Sequence, residues 1–174
     1  NPALTLGMLM AFPRKDWCWG DISKNLSLRL AMLLAFPGKP WDWKEISHNP
    51  ALTLAMLLAF PGKNWDWEEI PQNPSLTLAM LRKFPGKDWD FKLMSRNPSL
   101  TLAMLQEFPG KPWVRYWMSG NPSLTMEILL MFPDEEWNWG ERGISTNPNL
   151  TLEMLRRFPG KRWSFEWMSY NQFN

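Results

Sequence analysis

Three aspartates recur at a fixed interval in this 174-residue chain and raise the question of a metal site. Asp42, Asp66 and Asp90 follow one another at steps of 24 residues, and each stands between two aromatic residues. Carboxylate oxygens are the ligands that hard divalent cations prefer, so a row of such residues could bind metal. Aspartate is also favoured at the position directly before a helix, where it caps the first turn. We expect these aspartates to be helix caps, and we predict no metal ligand.

Groups for nucleophilic or general-base catalysis are scarce. His48 is the single histidine and Cys18 the single cysteine, so a zinc site or a Cys–His nucleophile lacks its second ligand or base. The sequence contains no Gly-rich phosphate loop and no Ser-His-Asp set. We therefore predict a protein that is not an enzyme, with no catalytic residue and no cofactor. The lone cysteine favours a reducing, intracellular location, and the lack of a long apolar run predicts no membrane partner.

Lysine also recurs at a regular spacing, and each recurring lysine stands two residues before a tryptophan. The five recurring positions are Lys39, Lys63, Lys87, Lys111 and Lys161. Such a row could bind phosphate or an acidic partner, but a solvated lysine stacked on its neighbouring indole is the simpler interpretation. Nineteen basic residues against 17 acidic ones also argue against a nucleic-acid binder that works by bulk charge.

The 13 tryptophans and 10 phenylalanines could stack sugars or unpaired bases if their rings were exposed. The first aromatic position of the recurring phrase does not vary: Trp17, Trp41, Trp65, Trp89, Trp113, Trp137 and Trp163. We predict that these rings are buried, and that the second row is more exposed: Trp19, Trp43, Trp67, Phe91, Trp139 and Phe165. Arg115 interrupts the second row, and we expect Trp117, shifted by two residues, to reach the same pocket; Trp167 repeats this shift.

These residues recur because the whole chain is built from copies of one phrase, N-P-x-L-T-L-x-M-L-x-x-F-P-G-K-x-W-x-W-x-x-I-S-x. Copies begin at residues 1, 25, 49, 73, 97, 121 and 147, and a partial eighth copy begins at 171. Between the starts of the seven full copies the step is 24 residues five times and 26 residues once. A period in this range is typical of stacked repeats in which each copy contacts its neighbours. The sequence thus predicts one continuous array over 1–174, or a segment of a longer one.

Each copy divides into two segments at Phe-Pro-Gly-Lys and at Ser-x-Asn-Pro. Apolar residues at Leu52, Met56, Leu57 and Phe60 have helical spacing, and either Thr53 or Asn49 could cap this first helix. The second segment, "WDWKEIS", favours a shorter helix capped by Asp42, although its aromatic residues also suit a strand. Pro-Gly in five copies predicts a type II turn in which glycine supplies a positive φ. The predicted fold is an all-α, αα solenoid of very short helices in a superhelical rod.

Two stretches, "KPWDWKEISHNPALT" from Lys39 and "NPNLTLEML…FPGKRWSFEWMS" from Asn147, resemble tandem repeats in uncharacterised proteins of large DNA viruses of protists. That family carries the phrase N-P-D-K-P-W-D-W-x-x-I-S-x-N-P-x-I-T-x-E. This chain differs in having Phe-Pro-Gly for Asn-Pro-Asp, and it keeps the glutamate only as Glu127 and Glu153. The resemblance implies a viral, virion-associated repeat scaffold, and it implies no enzyme activity or cofactor.

Comparison of the copies divides the first helix into two faces. Five positions stay apolar in every copy, and three positions, those of Ala55, Leu58 and Ala59, vary. At ~100° per residue the three variable positions share one arc, which we call the variable face. It is expected either to face solvent as a contact surface or to pack against the second helices of a curved array. Residues predicted to contact a partner are Met10, Leu34, Leu58, Arg82, Leu130 and Met131.

The predicted structural core adds a phenylalanine row to the first tryptophan row: Phe12, Phe36, Phe60, Phe84, Phe108, Phe132 and Phe158. The favoured function is a non-enzymatic repeat scaffold for protein–protein interaction or self-assembly, as a homo-oligomer or filament. The alternative is a ligand-binding module that stacks carbohydrate or nucleic-acid bases on the second aromatic row.

Overall fold

The computed structural model describes residues 4–133 and 136–170. The predicted starts of the first and eighth copies, at residues 1 and 171, lie outside these ranges. Contacts within the chain divide it into two compact units, Asn1–Trp89 and Asp90–Asn174. The described residues are all-helical and contain no strand, which confirms the all-α prediction and excludes the strand interpretation of the second segment.

Unit 1 contains six short α-helices and one 3₁₀ helix within its described residues. They are α1 (Leu6–Ala11), α2 (Trp19–Ser23), α3 (Leu30–Ala35), α4 (Trp43–His48), α5 (Leu54–Ala59), a 3₁₀ helix (Ile70–Gln72) and α6 (Leu78–Lys83).

Unit 2 has the same kinds of element in its described part. They are α7 (Phe91–Met94), α8 (Leu102–Glu107), α9 (Arg115–Ser119), α10 (Met126–Met131), a 3₁₀ helix (Ile144–Thr146), α11 (Leu152–Arg157) and α12 (Phe165–Met168).

A threonine starts most of the six-residue helices. Thr53 has extended backbone angles, and its side-chain oxygen accepts a hydrogen bond from the Met56 N–H at 3.2 Å. This choice satisfies one of the free N–H groups of the first turn, and it decides between Thr53 and Asn49 in favour of the threonine. The same cap begins α1, α6, α8, α10 and α11.

The first helix of each copy ends at phenylalanine because the proline that follows cannot continue it. In the second copy the Lys39 N–H donates to the Phe36 carbonyl at 3.2 Å, which closes a four-residue turn. The predicted type II geometry is wrong for most copies: among described glycines only Gly110 has a positive φ, of 74°. The other Pro-Gly turns keep glycine outside the left-handed region, so a side chain there would not be strained.

The second segment varies more than the first. Asp42 caps α4 by accepting from the Glu45 N–H at 3.1 Å, and Asp90 caps α7 in the same way. Pro71 replaces the usual serine in the third copy, and only a 3₁₀ helix forms there. In the sixth copy the two additional residues also leave a 3₁₀ helix, with Arg142 at a φ of 56°.

Within each unit, a buried asparagine at the start of a copy bonds back to the junction between the copies before it. The Asn49 side-chain amide donates to the Ser23 carbonyl at 2.8 Å and to the Asn25 carbonyl at 2.9 Å. Its oxygen accepts from the Ala51 N–H at 2.9 Å, which shapes the turn before the next helix. The same arrangement occurs at Asn73, Asn121 and Asn147.

A serine makes the reciprocal link to the copy that follows. The Ser23 hydroxyl donates to the Trp19 carbonyl at 2.8 Å and accepts from the Asp42 N–H at 3.0 Å. The single hydroxyl oxygen therefore makes one hydrogen bond within its own helix and one to the next copy. The same acceptor contact, across 19 residues, recurs at Ser47, Ser95, Ser119 and Ser145.

Replacing Asn49 with alanine is expected to lower the free energy of unfolding by about 2–3 kcal/mol. The substitution leaves the Ser23 carbonyl and the Ala51 N–H without this partner and removes one of the two donors to the Asn25 carbonyl, which keeps the Leu28 N–H. Such losses cost about 1–3 kcal/mol. Urea denaturation followed by tryptophan fluorescence measures the change. Asn64→Ala is the matched control, because Asn64 is exposed and its loss is expected to be nearly neutral. Equal effects of the two substitutions would contradict the role given to Asn49.

Gly110→Ala is expected to destabilise the protein by about 1 kcal/mol, since alanine is strained at a positive φ. Gly62→Ala is expected to be stabilising by about 0.5 kcal/mol, because alanine restricts the unfolded chain. No atom lies within 4 Å of a side chain built at either position, so backbone geometry alone separates the pair. Thermal unfolding monitored by circular dichroism tests the difference, and a shift of the same sign in both variants would contradict it.

Candidate functional site

The first tryptophan row is anchored by its indole nitrogen. Trp41 is 5% exposed, and its indole N–H donates to the Phe36 carbonyl at 2.9 Å. This bond, across five residues, is present in all seven copies. The ring is fully buried in the five inner copies, whereas Trp17 and Trp163 are half-buried. The first row is therefore structural, as predicted, with partial exposure at two positions.

The side chains of the phenylalanine row are more exposed than predicted. Phe36 and its counterparts up to Phe158 are half-buried, and Phe12 is 55% exposed. Placing Phe12 in the core was wrong. Five of the other phenylalanines pack against the second ring of the preceding copy, and Phe132 packs against an arginine instead. No described residue provides such a partner for Phe12.

The second aromatic row packs between copies. Trp19 lies with its ring centroid 5.3 Å from Phe36 and 4.8 Å from Trp41, the latter edge-on at 74°. Such tilted and edge-on contacts are the favoured geometries for aromatic pairs. The other second-row rings, each packed on the phenylalanine and first tryptophan of the next copy, are Trp43, Trp67, Phe91 and Trp139.

The recurring lysines cover these second-row rings. Lys63 Nζ lies 5.3 Å from the centroid of Trp43, and Lys87 Nζ lies 4.4 Å from that of Trp67. The stacked ring thus belongs to the preceding copy, and the prediction that each lysine stacks on its own neighbouring indole was wrong. A cation thus lies near each of these five rings, of which Trp43 and Trp67 are half-buried, whereas Phe165 of the same row is 72% exposed. Trp19, Phe91 and Trp139 are at most 9% exposed.

At Arg115, where the second row lacks a ring, the group that packs on the next copy is not the one that we predicted. The Arg115 guanidinium carbon lies 4.2 Å from the centroid of Phe132, where the other copies place a ring. Trp117 instead lies under the Arg96 guanidinium, 3.8 Å from centroid to carbon. The arginine therefore replaces the ring by a cation–π contact, and Trp117 does not take its place.

The variable face of unit 1 is exposed. Met10 is 61% exposed, Leu34 56% and Leu58 43%, and the small residues beside them are exposed as well. Arg82 and Lys83 continue the same positions on α6 and are also exposed. The alternative, that these side chains pack against second helices, is excluded for this unit.

The opposite side of the same helices forms the core. Leu33 is fully buried and Met32 is 3% exposed, although both lie within two residues of Leu34. In unit 2 the variable face is shorter: Leu130 is 44% exposed, but Met131 is half-buried. The longest exposed apolar row on a variable face is therefore the one in unit 1.

The polar groups considered at the outset are placed at the surface. His48 lies 3.7 Å from Glu69, between their side-chain nitrogen and oxygen, and Lys24 lies 3.3 Å from Glu45. Exposed pairs of this kind contribute little to stability. Hydrogen bonds from the Thr125 side chain and from its own backbone lower the pKa of Glu127. Among the described residues no three His, Cys, Asp or Glu side chains are grouped for a metal ion.

No helix formed by the described residues is both long enough and apolar enough to cross a membrane. Comparison with known proteins finds no family model, no curated protein and no solved structure that matches this chain.

Sequence reasoning missed the asparagine and serine that link the copies. Asparagine is present at the start of every copy and remains at Asn25, where the proline after it is replaced by Leu26. That invariance distinguished the asparagine from a simple turn residue. Serine is absent only at Pro71, and the second helix is altered there.

Replacing Leu34 and Leu58 together with glutamate is expected to change the free energy of unfolding by less than about 1 kcal/mol, because both side chains already face water. Leu33→Glu on the same helix is the matched control, and it is expected to unfold the unit since it buries a charge. Circular dichroism melting compares them. Loss of structure in the double variant would mean that the variable face belongs to the core.

Proposed function

We propose that this chain is a non-enzymatic tandem-repeat scaffold, an αα solenoid that binds protein through its variable face. The partner is one of two kinds: another copy of the chain, as in a homo-oligomer or filament, or a foreign protein. The resemblance of its repeats to those of viral proteins supports a structural role of this kind.

Support for the repeat architecture comes from contacts that recur with constant separation. The serine bonds join positions 19 residues apart, and the asparagine bonds join positions 24 and 26 residues apart, or 26 and 28 at Asn147, which follows the two-residue insertion. Stacked repeats depend on such nearest-neighbour interfaces. The same bonds give the recurring asparagine and serine a structural role, which supports a scaffold.

The observation that carries the functional proposal is the exposed apolar row of Met10, Leu34 and Leu58. Neighbouring positions on these helices are alanine in the second and third copies, so the row is not interrupted by charge. A contiguous exposed apolar surface commonly marks a protein contact. These positions also change between apolar, polar and charged residues among the copies, while the buried ones stay apolar, as expected for residues outside the shared core.

Light scattering coupled to size-exclusion chromatography tests the proposal with the parent chain and the Leu34→Glu, Leu58→Glu variant. We expect the parent to associate as its concentration is raised, and the variant to remain a folded monomer of 20.5 kDa. The variant is expected to stay monomeric because the glutamates place charge on a surface that must lose its water on contact. Association that is unaffected by the two substitutions would contradict the variable face as the binding surface.

A further inference from the structure

A surface groove lies between the sixth and seventh copies, both of which belong to unit 2. It is lined by residues 136–140 of the sixth copy and by Gly160, Lys161 and Arg162 of the seventh. Its volume is about 670 Å³. The equivalent groove beside Trp43 has a volume of about 410 Å³, so the groove of the sixth and seventh copies is the roomier of the two.

Gly140 is one reason for the larger volume. It lines the groove at the position that Lys44 takes in the equivalent groove, so no side chain enters from this side. A Cβ atom built at Gly140 has no neighbour closer than 3.9 Å. The surrounding structure thus has room for a side chain at this position, and the glycine leaves that room open.

The wall of the groove on the sixth copy is held in place by Asn138. Its side-chain oxygen accepts a hydrogen bond from the Gly140 N–H at 3.1 Å, and its amide donates to the Glu141 carbonyl at 3.0 Å. The Asn138 carbonyl accepts from the Ile144 N–H at 2.8 Å. These bonds tie the two-residue insertion to the groove, so this wall is preformed, which lowers the ordering cost of binding.

Positive charge lines the wall on the seventh copy. Lys161 and Arg162 are both exposed, whereas each of the other recurring lysines is followed by proline, asparagine or aspartate. Lys161 Nζ lies 5.4 Å from the centroid of Trp139, which helps to fix its position. Within the described part of the chain neither cation forms an ion pair, although Glu136 also lines the groove. Two positive charges are therefore available at one wall.

We propose that this groove is a binding site for an anionic ligand whose phosphate group is held by Lys161 and Arg162. A guanidinium binds phosphate through two parallel hydrogen bonds, and a lysine adds a point charge. A phosphate monoester carries about 1.5–2 negative charges at pH 7, which the two cations match. Glu136 repels an anion, so the phosphate binds at the wall of the seventh copy. The site uses residues outside the variable face and adds a second binding function to the proposed scaffold.

An NMR titration of the full chain with inorganic phosphate, at constant ionic strength, tests the site. We expect saturable shifts of the backbone amide signals of Gly140 and Arg162, with a midpoint in the millimolar range because exposed charges bind weakly in water. Acetate is expected to bind more weakly, since it carries a single charge. Equal, non-saturating shifts with the two anions would indicate general screening and would overturn the proposal.

Two variants take residues that the chain already uses at the equivalent positions. Arg162→Asn introduces the residue of Asn64, and we expect it to weaken phosphate binding roughly tenfold through the loss of charged hydrogen bonds. Gly140→Tyr introduces the residue of Tyr116, and it is expected to weaken binding by filling the groove without a change of charge. Lys63→Gln at the equivalent groove is the matched control, for which the titration should be unchanged.

Glu136→Gln is expected to tighten phosphate binding, because it removes a like charge from the groove. Circular dichroism verifies that each variant is folded. Unchanged binding in Arg162→Asn would overturn the site even if Gly140→Tyr failed to fold, since Arg162 is exposed and its replacement leaves the core intact. These results are independent of the light-scattering test of Leu34 and Leu58, so either proposal can fail while the other stands.

Discussion

The junctions within each unit depend on the buried asparagine at the start of a copy. Its amide group has two donors and an acceptor with two lone pairs. At Asn49 the amide nitrogen donates to the carbonyls of Ser23, at the end of the first copy, and of Asn25, at the start of the second, while the oxygen shapes its own turn. Carbonyl groups at the ends of short helices lack partners within the helix. One side chain thus satisfies groups that burial would otherwise leave at a cost of about 1–3 kcal/mol each.

Short helices need this support because they are not stable alone. Helices of four to six residues are far below the length of about 12–15 residues at which isolated helices become marginal in water. The tryptophans and phenylalanines supply the missing apolar burial, and every second-row ring except that of Phe165, which is 72% exposed, packs on rings of the next copy. The lysines that cover these rings place charge at the surface while their stems shield the aromatic contacts. The tryptophan content is therefore explained by the small size of the copy.

The core and the junctions occupy the positions that recur in the copies, and the variable face of unit 1 remains exposed, which is why we propose it as the contact surface. Leu33 and Leu34 illustrate the division, since adjacent residues of one helix are fully buried and 56% exposed. Apolar residues at exposed positions in α1, α3 and α5 make no contribution to the shared core. Their retention beside alanine distinguishes this part of unit 1 from α6, where charged residues stand at the same positions.

The sequence by itself determined the helical class, the copy boundaries, the threonine or asparagine caps as candidates, and which arc of the first helix varies. These features are local or periodic, so spacing alone carries them. Tertiary structure decided the partners: Trp19 packs on Phe36 of the next copy, Lys63 covers Trp43 of the previous one, and Arg115 takes the place of a ring. It also decided that Asn49 binds backward and that Thr53 caps the helix. Such choices depend on which groups meet between copies, and a repeat period fixes the spacing of residues without fixing which neighbour each side chain faces.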